Sequence, residues 1–182
     1  MINAFIEYIA ARQQKPQPTW VRKAMIVLLP PVFLAFIFSP GYFLGPRFDA
    51  TLNLPRIATP PINSYPGWPI FLIGFILFAW TILLFARIGQ GTQTPIVPTQ
   101  RLVTTGPYAY SRNPMFLGAI LMILGFGIIL NSIAAIVLGL VIPIAYLIFI
   151  KLVEEKELEA RFGQEYLEYK TRVPFIIPKF WR

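Results

Sequence analysis

The chain is expected to fold as an all-α, polytopic membrane helical bundle, with about four transmembrane helices plus a C-terminal cytoplasmic or interfacial helix. Composition predicts this class, because 56% of the 182 residues are hydrophobic and only 13% are charged, whereas soluble domains carry about a quarter charged residues. The apolar residues also fall in blocks long enough to cross a hydrocarbon core of roughly 30 Å. We therefore expect an integral membrane protein, of a length that suits one domain.

Four apolar segments are the candidate transmembrane helices. The first contains Pro30-Pro31, a pair that should kink or break it, because proline has no backbone N–H to donate. The fourth contains Pro143, and only Asn131-Ser132 separates it from the third. The third and fourth segments should therefore form a tight hairpin whose two open ends return to one face of the membrane. The predicted segments are residues 23–44, 68–86, 115–130 and 133–152.

The segment that follows the hairpin should continue as a helix beyond the bilayer. Leucine, phenylalanine and tyrosine recur at helical spacing over residues 151–170. Gly163 is a candidate interruption of this helix, and Val173-Pro174 should end it, because the residue before a proline avoids the helical region. The aromatic closing run 175–182 has basic flanks, which is typical of a segment at the lipid interface. The expected parts of the single domain 1–182 are an interfacial lead (1–22), two N-terminal spans (23–86) and a core (87–182) with its hairpin at 115–152.

Lysine and arginine are distributed unequally between the two sides of such a bundle. If there are four spans, both termini and residues 87–112 lie on one side of the membrane. Of the 16 basic residues, only Arg47 and Arg56 then lie on the other side. Cytoplasmic loops carry the excess of positive charge, so both termini and residues 87–112 are expected in the cytoplasm, beside the cytoplasmic (inner) membrane. A first segment that is re-entrant or interfacial would instead move the N-terminus across. The net charge of +8 then favours an anionic lipid surface, and no nucleic-acid partner is expected.

The chain contains neither cysteine nor histidine, which excludes several kinds of site. Disulfides, thiolate metal sites and cysteine nucleophiles are excluded, as are imidazole bases, histidine-ligated metals and a Ser-His-Asp triad. No metal site is expected. Any chemistry must therefore use positioning, electrostatics or a cofactor that brings its own reactivity.

A polar run, GPYAYSRNP at residues 106–114, stands immediately before the third span, and Glu154-Glu155 follow the fourth. If both arms of the hairpin cross the bilayer, the guanidinium of Arg112 and the two carboxylates return to the same interface. A membrane protein has little reason to gather such groups unless something polar binds there. Taken singly, Arg112 could also be a positive-inside residue, and the glutamates could be the solvated face of a helix. Together they predict a binding site for a ligand that carries both signs of charge.

These motifs, in this order, resemble those of the integral membrane methyltransferases, the isoprenylcysteine carboxyl methyltransferases and the related phospholipid methyltransferases. The resemblance covers roughly residues 89–181, about half of the chain. Its matching positions are Gly106-Pro107-Tyr108, Arg112-Asn113-Pro114, Gly118, Glu154-Glu155, Phe162-Gly163, Tyr166 and Tyr169.

The resemblance implies a methyltransferase that binds S-adenosylmethionine on the cytoplasmic side, in the core 87–182. It further implies a lipophilic acceptor, an isoprenylcysteine-like carboxylate or a lipid headgroup, that arrives laterally among the membrane lipids. Arg112 and Glu155 are the catalytic residues that it implies. The implied cofactor-binding residues are Gly106, Pro107, Tyr108, Arg112, Asn113, Pro114, Leu117, Glu154, Glu155 and Tyr166.

Asn113 departs from the family pattern, in which a histidine usually occupies this position. An amide can still donate and accept hydrogen bonds, but it does not titrate near neutrality. A mechanism that uses the histidine as a base is therefore not available to this chain. Methyl transfer does not need one, because it mainly requires alignment of donor and acceptor and exclusion of water.

Two other classes of function remain open from the sequence. One is a membrane reductase on a related helical scaffold, which would use a nicotinamide cofactor to reduce a lipid double bond. The other is a small transporter or a structural membrane protein. Transporters usually place a charge within the membrane, and the four predicted spans contain none except at their ends, which disfavours that class.

Overall fold

The computed structural model describes residues 7–9, 11, 17–92, 94 and 96–178. These residues are built from helices, and the described part of the chain contains no β-strand beyond an isolated bridge between Thr92 and Pro98. The all-α fold class is therefore confirmed. The helices are α1 (Thr19–Thr51), α2 (Ser64–Leu84), α3 (Pro114–Ile129), α4 (Ile133–Phe149), α5 (Glu155–Phe162) and α6 (Gln164–Arg172).

Within the described part of the chain, three helical stretches are long and apolar enough to cross a membrane. They are α1, α2 with the π-helical turn Phe85–Gly89, and the continuous stretch Ile133–Phe162. α3 is also apolar but has only 16 residues, which at 1.5 Å per residue is shorter than a typical hydrocarbon core. Three of the predicted spans thus have the length to cross, and the count of four stays a prediction.

The predicted break at Pro30-Pro31 is wrong, because α1 runs unbroken for 33 residues with four prolines inside it, and a kink there stays a prediction. In lipid, irregular backbone would leave several groups without hydrogen bonds, whereas each proline in a helix removes only one donor. One such carbonyl is compensated locally. Pro40 has no N–H for the oxygen of Phe36, and Ser39 Oγ donates to that oxygen at 3.3 Å. The helix is therefore the less costly conformation for this segment.

The predicted hairpin is confirmed, since α3 and α4 are joined only by residues 130–132. Asn131 adopts a left-handed backbone conformation with φ of 55°, which asparagine tolerates better than most residues. Ser132 Oγ then accepts a hydrogen bond from the Ala135 N–H at 3.0 Å and caps α4. Asp49 accepts another from the Ala134 N–H at 2.9 Å. The turn therefore satisfies two of the free N–H groups at the start of α4.

The C-terminal helix is interrupted and ended where the sequence predicts. Gly163, with φ of 53°, separates α5 from α6, a conformation that glycine adopts without strain. α6 ends before Val173, which is extended with φ of −115° and ψ of 127°. The predicted lead 1–22 lies largely outside the described residues, as do residues 179–182 of the closing run.

The chain divides into two compact units. The first comprises Met1–Leu29, Trp80–Pro114 and Leu147–Arg182, and the second comprises Pro30–Ala79 and Met115–Tyr146. In the second unit, glycines allow α2 and α3 to approach closely. A Cβ atom on Gly118 would lie 2.8 Å from the backbone oxygen of Gly74. All the predicted site residues except Leu117 belong to the first unit.

Candidate functional site

The polar run before α3 forms a compact loop, the signature loop (residues 106–114). Gly106 has φ of 61°, a left-handed conformation that favours glycine. Pro107 follows at the start of a short 3₁₀ turn, Gly106–Ala109, where its missing N–H costs nothing. The turn directs Tyr108 inward, so that its side chain is buried and its ring lies 5.3 Å from that of Phe85 in an edge-to-face arrangement.

Arg112 and Glu155, the two predicted catalytic residues, contact each other. Arg112 Nη1 forms an ion pair with Glu155 Oε1, and both side chains are largely buried. Glu155 is the first residue of α5, directly after the π-helical turn Ile150–Glu154. Only 4% of its surface is exposed, so interpreting it as part of a solvated helix face is wrong. The hairpin brings these two charges together as the sequence predicts.

Lys170 on α6 adds a second cation to this pair. Its Nζ lies 3.1 Å from Glu155 Oε2 and 2.7 Å from Glu159 Oε1. The carboxylate of Glu155 is therefore held between a guanidinium and an ammonium. No local pattern indicated Lys170, because its partners Glu155 and Glu159 belong to a different helix.

Three buried tyrosines belong to the signature loop and α6, and burial raises the pKa of each. Burial, the neighbouring Tyr169 and the carboxylate of Glu154 raise the pKa of Tyr108 well above 10.0. For Tyr166, burial and Glu155 raise the pKa, while the guanidinium of Arg112 opposes them. Burial and the neighbouring Tyr166 raise the pKa of Tyr169. All three phenols therefore remain protonated hydrogen-bond donors around neutral pH.

Two of the buried donors at this site have no acceptor within the described part of the chain. These are Tyr108 Oη and Arg112 Nε. Leaving a buried donor unsatisfied costs about 1–3 kcal/mol, so each such group needs a reason to be retained. An anionic or hydroxyl-bearing ligand would supply the missing acceptors.

Asn113 uses its amide within the chain. Its Nδ2 donates to the backbone oxygen of Phe175 at 2.9 Å, and its own N–H donates to Ser111 Oγ at 3.2 Å. The adjacent Arg112 N–H donates to the oxygen of Pro174 at 2.9 Å. The signature loop is thus bonded to the segment after α6, in a contact that the sequence did not predict.

The remaining predicted residues are distributed as follows. Glu154 is half-buried, and its carboxylate adds to burial in raising the pKa of Tyr108 and of Tyr166. Pro114 is buried at the start of α3. Leu117 belongs to the second unit, and its cofactor contact stays a prediction.

A second buried ion pair lies on α5 and was not predicted. Arg161 contacts Glu157 one turn away and the backbone oxygen of Thr99, and its Nη2 lies 3.2 Å from Thr99 Oγ1. The spacing of four residues between the two charges was the available signal. The pair fixes the loop before the signature loop to the helix that carries Glu155.

Known proteins resemble the chain in both sequence and fold. A family model described as phospholipid methyltransferase matches residues 62–165. Protein-S-isoprenylcysteine O-methyltransferase of Mus musculus is 37% identical over 83 residues, which is 44% of this chain and 28% of the relative. The human enzyme of that name gives the same identity and coverage. The chain thus spans under a third of the length of these relatives.

One bacterial relative and one solved structure extend over more of the chain. The cobalt-zinc-cadmium resistance protein CzcN of Cupriavidus metallidurans is 37% identical over 149 residues, which is 81% of this chain and 61% of the relative. The structure of the eukaryotic intramembrane Ras methyltransferase ICMT covers 82% of this chain and 52% of its own, with a TM-score of 0.53 at 22% identity. That structural match shows a shared fold.

Proposed function

Because this chain belongs to the phospholipid methyltransferase family, we propose that it is an integral membrane enzyme that transfers a methyl group from S-adenosylmethionine to a lipophilic acceptor. The observation that carries the proposal is the contact between Arg112 and Glu155. Two residues that the sequence singled out, on either side of the hairpin, lie in contact, and the same unit holds two buried donors without an acceptor among the described residues, Arg112 Nε and Tyr108 Oη. This combination suits a ligand with acceptor atoms and mixed charge.

The residues present fit S-adenosylmethionine, which has a carboxylate, an ammonium and ribose hydroxyls. Arg112 Nε and Tyr108 Oη are buried donors without an acceptor in the described chain, and they suit the carboxylate or the hydroxyls. The carboxylates of Glu154 and Glu155 suit the ammonium. Tyr166, Gly106, Pro107 and Pro114 would complete the pocket. We assign these as the cofactor-binding residues.

When bound, the cofactor supplies a methyl group on an activated sulfonium. The chain's own contribution is alignment and exclusion of water. Glu155 holds the guanidinium of Arg112 in one orientation, which restricts where Arg112 can bind an anionic group. Both carboxylate oxygens of Glu155 are occupied by the cations of Arg112 and Lys170. An acceptor that is already an anion, such as a carboxylate, needs no base, whereas an amine would transfer its proton to Glu154.

Binding of S-adenosylhomocysteine to the detergent-purified chain, measured by calorimetry, tests this proposal. The unaltered protein should bind, and Glu155→Ala should weaken binding at least tenfold, since it leaves Arg112 and Lys170 without their shared partner. Glu165→Ala is the matched control, because Glu165 is an exposed glutamate of α6, and it should bind normally. Absence of binding by the unaltered protein contradicts the cofactor assignment. An unchanged affinity in Glu155→Ala contradicts the site.

The acceptor can be identified with the same preparation. Incubation with a methyl-labelled donor and a total lipid extract should yield a labelled lipophilic product, and the Arg112→Ala variant should yield none. Addition of a reduced nicotinamide cofactor instead should change neither the protein nor the lipids. Reduction of a lipid double bond would favour the reductase that the sequence left open.

We also propose that the site faces the cytoplasm, from the distribution of basic residues. The chain has no cysteine, so a single introduced cysteine can be labelled without background. In intact cells an impermeant maleimide should label Arg56→Cys, in the exposed segment between α1 and α2, but not Glu165→Cys. The reverse labelling pattern would overturn the orientation.

A further inference from the structure

We propose that Asn113 is a positioning residue, whose side-chain amide closes the segment after α6 over the Arg112–Glu155 pair. We call this segment, residues 173–178, the C-terminal strap. The family resemblance implies that residue 113 contacts the cofactor. In the structure, the side-chain amide of Asn113 bonds to the strap instead. The part of the inference that concerns the ligand rests on the proposed function.

Two adjacent residues of the signature loop bond to two adjacent residues of the strap. Asn113 Nδ2 donates to the Phe175 oxygen at 2.9 Å, and the Arg112 N–H donates to the Pro174 oxygen at 2.9 Å. The second bond involves the backbone of the residue whose side chain pairs with Glu155. Closure of the strap therefore constrains the backbone that carries the guanidinium.

The strap begins at a residue that is anchored independently of Asn113. Val173 is buried, and it packs in a cluster with Tyr166 and Tyr169. Its extended conformation turns the chain away from the direction of α6 and towards the signature loop. Pro174 has no backbone N–H to donate, so its backbone can bond to the signature loop only through its carbonyl oxygen. The cluster fixes the start of the strap, and the two loop bonds fix the following residues.

The ring of Phe175 lies against the charges of the site. Its centroid is 5.6 Å from Arg112 Cζ and 5.6 Å from Lys151 Nζ, within the range of a cation–π contact. A ring in this position excludes water from one side of the guanidinium. Because charges interact more strongly where water is excluded, closing the strap should strengthen the interaction between Arg112 and an anionic ligand.

The role of residue 113 in this arrangement requires a side-chain N–H donor. Aspartate has nearly the same shape as asparagine but presents only acceptor oxygens when ionised, so it would face the carbonyl of Phe175 with no donor. Histidine carries a ring N–H and can replace the amide. Asn113→Asp should therefore open the strap, and Asn113→His should keep it closed.

Hydrogen exchange of the full chain in detergent, without any ligand, tests the closure directly. In Asn113→Asp the amide of Arg112 should exchange roughly five- to tenfold faster, the effect of losing about one hydrogen bond, and Asn113→His should restore slow exchange. Asn131→Asp is the matched control. Asn131 Nδ2 also donates to a distant backbone oxygen, that of Ala58 at 2.7 Å, but it lies in the second unit. Unchanged exchange in Asn113→Asp, or equal acceleration in Asn131→Asp, would overturn the proposal.

Ligand binding tests whether closure serves the site. Asn113→Asp should raise the Kd of S-adenosylhomocysteine, and the KM for the methyl donor, about tenfold, with a smaller change in kcat. Phe175→Leu keeps the backbone acceptors but removes the ring, so it should weaken binding while exchange at Arg112 stays slow. Faster exchange with unaltered affinity would refute the role in binding. If the unaltered chain binds no S-adenosylhomocysteine, the proposed function fails, and the exchange rates still decide whether Asn113 holds the strap.

Discussion

The phenol of Tyr169 donates a hydrogen bond to the backbone carbonyl of Tyr108, with 2.7 Å between the two oxygens. Both residues are buried, and the bond joins α6 to the signature loop. Tyr169 therefore fixes the backbone of Tyr108 through this hydrogen bond, in addition to packing in the core.

Removing this hydroxyl should destabilise the protein. Tyr169→Phe leaves the buried carbonyl of Tyr108 without that donor, so the free energy of unfolding should fall by about 1–2 kcal/mol. Denaturation of the detergent-solubilised chain measures it. Tyr65→Phe is the control, since Tyr65 is 74% exposed and should tolerate the change. Equal changes in the free energy of unfolding for the two substitutions would show that the Tyr169 hydrogen bond does not stabilise the protein.

Lysine should not replace arginine at position 112. Arg112→Lys keeps the positive charge beside Glu155 but loses the planar fork of donors, including the buried Nε. We expect kcat/KM for methyl transfer to fall about 10- to 100-fold, the effect of losing a charge-assisted hydrogen bond. Arg172→Lys, at an exposed position whose Nε donates to the Glu168 oxygen, should retain activity. Full activity in Arg112→Lys would contradict the assigned role.

The protein should lose stability as the pH rises above about 10. The pKa values of Tyr108, Tyr166 and Tyr169 are all raised above 10.0, chiefly by burial, so the folded chain holds these protons more tightly than the unfolded chain. Their contribution is complete below pH 10 and is lost as the pH increases. The pKa of Lys170 is also raised, first by its hydrogen bond to Glu159, and acts in the same direction.

Unfolding measured from pH 8 to pH 11, together with the ultraviolet absorbance of tyrosinate, tests this dependence. The three buried phenols should ionise only as the chain unfolds. Tyr166→Phe removes one titrating group, so its stability should fall less steeply above pH 10. Ionisation of all tyrosines in the folded state, before any unfolding, would contradict the expectation.

The close approach of α2 and α3 should not tolerate a methyl group. A Cβ atom on Gly125 would meet the backbone nitrogen of Phe71 and lie 2.7 Å from the oxygen of Gly67. Because both are backbone atoms, the helices must separate, and Gly125→Ala should destabilise the chain by about 1–3 kcal/mol or more. Gly163→Ala provides the comparison, since its Cβ would meet nothing within 4 Å and only its backbone, with φ of 53° and ψ of −129°, adds strain of about 1–3 kcal/mol. Unchanged stability in Gly125→Ala would contradict the packing.

Features that depend on neighbouring residues were predictable from the sequence. The hairpin turn at Asn131-Ser132, the interruption at Gly163 and the end of the helix before Val173 are all confirmed. The approach of Arg112 to Glu155 was also predictable, because a hairpin returns its two open ends to one face of the membrane. The predicted break at Pro30-Pro31 was wrong, because helical propensity in water does not include the cost of unsatisfied backbone groups in lipid.

The sequence by itself determined that the chain is an apolar helical membrane protein with a hairpin whose open ends carry opposite charges. Only the tertiary structure decided that Lys170 shares Glu155, that Asn113 bonds to Phe175 and that Phe175 covers Arg112. These pairings join residues on separate elements, and they depend on the turns at Gly163 and Val173 and on the π-helical turn before Glu155. Periodicity and composition describe one element at a time, so they do not specify how such turns orient one element towards another.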